Sequence, residues 1–211
     1  MKEEAWHWTD DRAGRPVLRD GRPVPPIGEW LVHAGQAVMC YSGLHASRRI
    51  LDALAYSRCA WWLHRVECED MCAEGPPGKL VCRRRKVLAS ADMLYALVEF
   101  AEACAKRADR TFGQGFIARD VLSHGGSAMA YARYAQDAAC AAYAFYLEDT
   151  PPATYIANLA ARAAEEEWQE DTLRLWFECI TSGARPFAGA KYVGRSTWLD
   201  VRGLDVELDS I

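Results

Sequence analysis

Between Ile27 and Leu88 the chain alternates short extended runs with one helical run so closely that only a small sheet carrying a single helix accommodates it. The segment AWWLHRVEC, Ala60 to Cys68, is nearly continuous in apolar and aromatic residues as far as Val66. That pattern predicts a central strand covered on both faces. Before it, GEWLVHAGQAVMCY reads as two strands folding back at Ala34-Gly35, and VLRDGRPV carries an Asp20-Gly21 turn of the kind that closes hairpins. Ile50, Leu51, Leu54 and Ala55 recur at helical spacing behind Ser47, whose hydroxyl can cap the first turn. Lys79 to Leu88 supplies a further strand after the loop-like EDMCAEGPPG. Residues 1–89 are therefore expected to form a small mixed or antiparallel sheet with one crossing helix.

The texture changes near Ser90. Leu94, Leu97, Val98, Ala101, Cys104 and Ala105 stack along one helix face, with Ser90 and Asp92 at its start. A second helical segment is predicted from about Ser127 to Leu147, interrupted by Pro151-Pro152. A third runs to about Thr181 and turns Leu159, Ala163, Leu173, Trp176 and Ile180 toward neighbours. His124-Gly125-Gly126 reads as a release between helices. The fold class expected is α+β, with an alanine-rich three-helix region at 90–182 and a tail at 183–211 that returns as an edge strand or clasp.

Composition removes several function classes. With 25 basic against 29 acidic residues the net charge is −4, which offers no overall positive field for nucleic acid or an acidic membrane surface. The dense basic run Arg83 to Lys86 lies in a strand-like segment whose alternate side chains point to opposite faces, and is read as a solvated or edge-protecting face. No stretch approaches the ~20 continuous apolar residues of a membrane helix, and MKEEAWHW lacks the basic start and apolar centre of a signal peptide. A cytoplasmic protein with reduced thiols is expected, its eight cysteines being scattered through apolar patterns.

His33-Ala34-Gly35, Cys40, Gly43-Leu44-His45-Ala46-Ser47, Asp52-Ala53-Leu54, Tyr56, Arg65-Val66-Glu67 and Lys79-Leu80-Val81-Cys82-Arg83 together resemble a phage-associated family of unknown function. In that family a GLHAS or GFHAC module precedes an alanine-rich helical tail. The likeness extends through Ala163-Ala164-Glu165-Glu166-Glu167-Trp168-Gln169. It implies a phage or prophage origin and no reaction. A more local likeness, carried by GLHAS, the helix ending in Tyr56 and the strand Leu63 to Glu67, is to the nicotinamide pocket of ADP-ribosyltransferases. It implies NAD as cofactor, with His33 holding the ribose, Ser47 supporting the pocket, Tyr56 stacking and Glu67 facing the oxocarbenium-like centre. Gly35 and Gly43 stand closer together than that family's excursion, and Glu67 comes early for its glutamate.

The same residues also have a structural reading. His45 beside a turn glycine can bond a neighbouring carbonyl, Tyr56 can plug a core, and Glu67 can pair with Arg65 or Arg83. A metal alternative assembles His64, Cys68, Cys72 and Cys82, but zinc knuckles usually present two tight cysteine pairs and here only Cys68 and Cys72 are close. No phosphate loop, GxSxG elbow or HExxH helix is present. The expectation is thus a non-enzymatic protein-binding or structural protein, acting on a host or defence factor or in the virion. Trp6, Trp8, Trp30, Trp198 and His45 are its candidate binding residues, and the alanine-faced helices offer a surface for self-association.

Overall fold

The computed structural model describes residues 2–56, 62–75, 78–112, 152–184, 190–194 and 197–200. Its class is α+β. The main sheet holds β1 (Lys2–Asp11), β2 (Pro16–Val17), β3 (Trp30–Val32), β4 (Leu44–Ser47), β5 (Trp62–Gly75) and β6 (Lys79–Asp92). Among the described residues the helices are α1 (Ile50–Tyr56), α2 (Leu94–Phe112) and α3 (Pro152–Ser182). The predicted helix at 127–147 and the His124-Gly125-Gly126 release lie outside the described residues.

β5 and β6 form one long antiparallel hairpin, in register from Trp62↔Asp92 to Gly75↔Lys79. EDMCAEG, expected as loop, is therefore the far half of β5, because Glu69, Met71, Ala73, Glu74 and Gly75 each pair with a residue of β6. Register shifts at Arg65/Val66 and Met71/Ala73 bend the hairpin. The bend lets β1 pair along β5 from Lys2↔Glu69 to Thr9↔Trp62, while β4 pairs along the start of β6. A single pair, Trp6↔Ser47, joins β1 to β4 and closes β1, β5, β6 and β4 into a ring. β3 does not fold back at Ala34-Gly35; it pairs with β6 through Trp30↔Lys86 and Val32↔Arg84 and ends the sheet path.

The two faces of the curled sheet bury different chemistry. One carries small residues, Ala5, Ala46, Cys68 and Cys82, together with Val66, Leu80 and Val87, as the tight inside of a small ring requires. The other carries Trp6, Trp8, Leu63 and Ala91 and is covered by Ile50 and Leu54 of α1, Leu97 and Phe100 of α2, and Leu173 and Phe177 of α3. Phe177 meets Trp6 edge-on at 5.0 Å between ring centres. Because this core joins sheet and helices, and β6 runs through Ser90 to Asp92, the chain has no seam at residue 89. Asp92 caps α2 as expected, its carboxylate accepting from Leu94 N–H at 3.0 Å.

Two helical expectations need correction. Ser47 lies in β4, and the first turn of α1 is capped from α3, the Glu170 carboxylate accepting from Ile50 N–H at 3.0 Å and Leu51 N–H at 3.1 Å. Ala163 of α3 is exposed, and the buried stripe runs Glu165, Gln169, Leu173, Phe177, with polar side chains at its start. Glu165 is matched there by Arg107 of α2 at 2.7 Å. The tail forms its own hairpin, β7 (Ala190–Gly194) with β8 (Thr197–Asp200).

Candidate functional site

The four residues suggested for a nicotinamide pocket are strung along β6. Ser47 pairs with Lys79, and Tyr56 has the same Lys79 ammonium over its ring at 4.0 Å. His33 N–H donates to Arg83 O at 2.8 Å, and Glu67 pairs with Lys86. At about 3.3 Å per strand residue, Lys79 and Lys86 stand roughly 20 Å apart along the strand. Ser47 is buried, and the ammonium takes one face of the Tyr56 ring. Glu67 bridges Lys86 at 3.0 Å and Lys2 at 3.2 Å, not Arg65 or Arg83; Arg65 pairs with Glu178 of α3. The hydrogen bond from Lys86, then that from Lys2, holds the Glu67 carboxyl below its usual range, so it is ionised at neutral pH and has no proton to give.

The metal set divides in the same way. His64 is fully buried with Nε2 at 2.8 Å from Thr9 Oγ1 and Nδ1 at 2.9 Å from Ser90 Oγ, so both ring nitrogens are engaged. Cys68 and Cys82 lie in the ring core, where Cys82 donates to Leu44 O at 3.3 Å. A hydrogen bond to Cys82, reinforced by burial, pushes the Cys68 thiol up. Cys72 is exposed and donates to Asp70 O. Among the described residues no group of three His, Cys, Asp or Glu side chains is placed to hold an ion.

Of the binding residues, Trp6 and Trp8 are core residues, because the pleat of β1 turns both onto the helix-covered face. Trp198 stands in β8 opposite Tyr192, its side chain outside the described set. Trp30 is half-buried among three cations: Arg84 at 4.5 Å, Lys86 at 4.8 Å and Lys2 at 5.6 Å from its ring centre. His45 Nε2 accepts from Cys40 N–H at 3.1 Å, and burial, followed by the charges of Lys79 and Arg85, lowers its pKa. The turn before it depends on Gly43, whose φ is +104° and where a Cβ would come within 2.7 Å of Val81 Cγ2.

Two features stand out beyond the candidate residues above. The first is a stretch of apolar surface around edge strand β3. Four of the seven large exposed hydrophobic residues described, Ile27, Val32, Val38 and Tyr41, fall between positions 27 and 41, with Val32 61% and Tyr41 89% exposed. The 38–42 turn is fixed by Tyr41 N–H and Ser42 N–H, both donating to Val38 O at 3.0 Å, so Tyr41 is held outward on an ordered turn.

The second is Arg85, only 6% exposed. Arg85 shares the face of Val87 and is buried between Leu31 of β3 and Cys68 of β5, whereas Arg83, two residues earlier on the same strand, is exposed. Its guanidinium donates to His45 O, and no carboxylate pairs with it among the described residues. It lines a cleft with His7, Glu29, Leu31, His64 and Val66. Burial and then the Arg85 charge lower both imidazoles, His64 to about 3 and His7 well below its ordinary value. A histidine titrating near 3 is a poor general base, so the Ser90–His64–Thr9 chain braces β1, β5 and β6 rather than activating a nucleophile.

No protein-family model, curated protein or solved structure matches this chain.

Proposed function

We propose that this is a non-enzymatic binding module that docks an extended segment of a partner protein along β3. The observation that carries the reading is the exposed set Ile27, Val32, Val38 and Tyr41 gathered beside a strand that ends the sheet path. Apolar residues scattered singly over a surface carry no meaning, but four exposed within fifteen residues around an open sheet edge supply both ingredients of strand addition. The edge backbone offers hydrogen bonds, and the flanking side chains take up the apolar residues of the incoming strand. The absence of a described helix long and apolar enough to cross a membrane accords with a partner other than a membrane core.

The likeness to the phage-associated module supports a phage or prophage origin, with a host or defence protein, or a virion component, as the partner. The test compares the protein with a Val32→Lys/Tyr41→Ser double variant. Wild type should retain a stoichiometric partner from host or infected lysate and the double variant should lose it. Equal retention by both would overturn the reading. Sedimentation of the isolated chain distinguishes a foreign partner from a second copy seated on the same edge.

A further inference from the structure

We propose that Arg85 forms a built-in site for one small monovalent anion, a halide or a single carboxylate group, in the cleft between β1, β3, β5 and β6. A guanidinium cannot shed its proton inside a protein, so a buried one has to be matched by charge or by acceptors. Here one of its five N–H groups meets the His45 carbonyl. The lining carboxylate, Glu29, is exposed and makes no ion pair with it.

The rest of the cleft suits an anion. His7 faces it with no hydrogen-bond partner among the described residues, and a neutral imidazole presents one N–H donor. Leu31 and Val66 form apolar parts of its wall. The cleft is partly open to solvent and has room for roughly one water-sized occupant beside its lining residues. A single positive charge in so small a cleft matches one small monovalent anion. Arg85 supplies one fixed positive charge to this lining and His7 one imidazole donor. His64 adds no donor, since Thr9 and Ser90 occupy its ring.

The experiment is ³⁵Cl NMR of the full chain at constant ionic strength. Wild type should broaden the chloride line, and Arg85→Gln should return it to the protein-free width. Should Arg85→Gln fail to fold, His7→Phe keeps the guanidinium, fills the recess and should abolish the broadening equally. Added acetate that narrows the wild-type line identifies carboxylate as a ligand; acetate without effect identifies a halide site. A wild-type line no broader than that of His7→Phe, or bromide-soaked crystals lacking an anomalous peak against the Arg85 guanidinium, would overturn the assignment.

Discussion

Acid should weaken this protein through His64 more than through any carboxylate on its surface. The ring is fully buried between Thr9 and Ser90 and titrates near 3 in the folded chain, against 6.5 in the unfolded one. A depressed folded pKa means the unfolded state binds the proton first. The stability it reflects is therefore complete above about pH 6.5 and is lost as pH falls toward about 3. At pH 5 the unfolded ring lies about 1.5 units below its own pKa while the folded ring is still neutral, so about 2 kcal/mol is lost relative to neutral pH. His7 is lowered in the same direction and adds to the slope. Urea unfolding followed by tryptophan fluorescence at pH 7 and pH 5 reads the loss directly. His64→Gln keeps amide hydrogen bonding to both hydroxyls but cannot titrate, so its loss between the two pH values should be smaller by about that 2 kcal/mol. If wild type and His64→Gln weakened by the same amount, the buried neutral imidazole would be the wrong account.

Other expectations follow from single contacts. Glu170→Ala removes the cap that α3 supplies to α1 and should cost about 1–2 kcal/mol in chemical denaturation, with Glu170→Gln recovering part of it. Gly43→Ala forces a Cβ into Val81 and Ala37 at a positive φ and should cost about 1–3 kcal/mol, whereas Gly14→Ala, with open space around it, should cost less. Phe177→Ala empties a fully buried site against Trp6 and should lower stability by about 3–5 kcal/mol. Because His33, Tyr56 and Glu67 are spread along β6, millimolar NAD should leave the melting temperature unchanged, and Glu67→Gln should not alter any labelling of host proteins; an NAD-dependent shift lost in Glu67→Gln would restore the transferase reading.

Periodicity carried much of the fold. Residues 50–56, 62–68 and 94–104 announced their elements because each has a side buried in the same core, and that burial is written locally as a spacing of apolar residues. What escaped is what depends on distant partners. Nothing local told that Glu170 would cap a helix well over a hundred residues earlier, or that EDMCAEG would be strand once β6 lay beside it. Trp6 and Trp8 resembled surface aromatics only because the helices that cover them lie far along the chain. Arg85 was closer to legible: counting back by twos from Val87 turns it inward, but the charge of the basic run argued for solvent. The exposed 27–41 stretch was hidden by the expectation that β3 would pair with its own continuation rather than with β6.

The account stands most directly on whether the β3 edge meets a protein. A photo-crosslinking amino acid placed at Tyr41, with the exposed Leu175 on α3 as a control away from the edge, reads this in lysate. A discrete, saturable adduct from position 41 with none from position 175 is the predicted result. Indiscriminate adducts from both positions, or none from position 41, would contradict it.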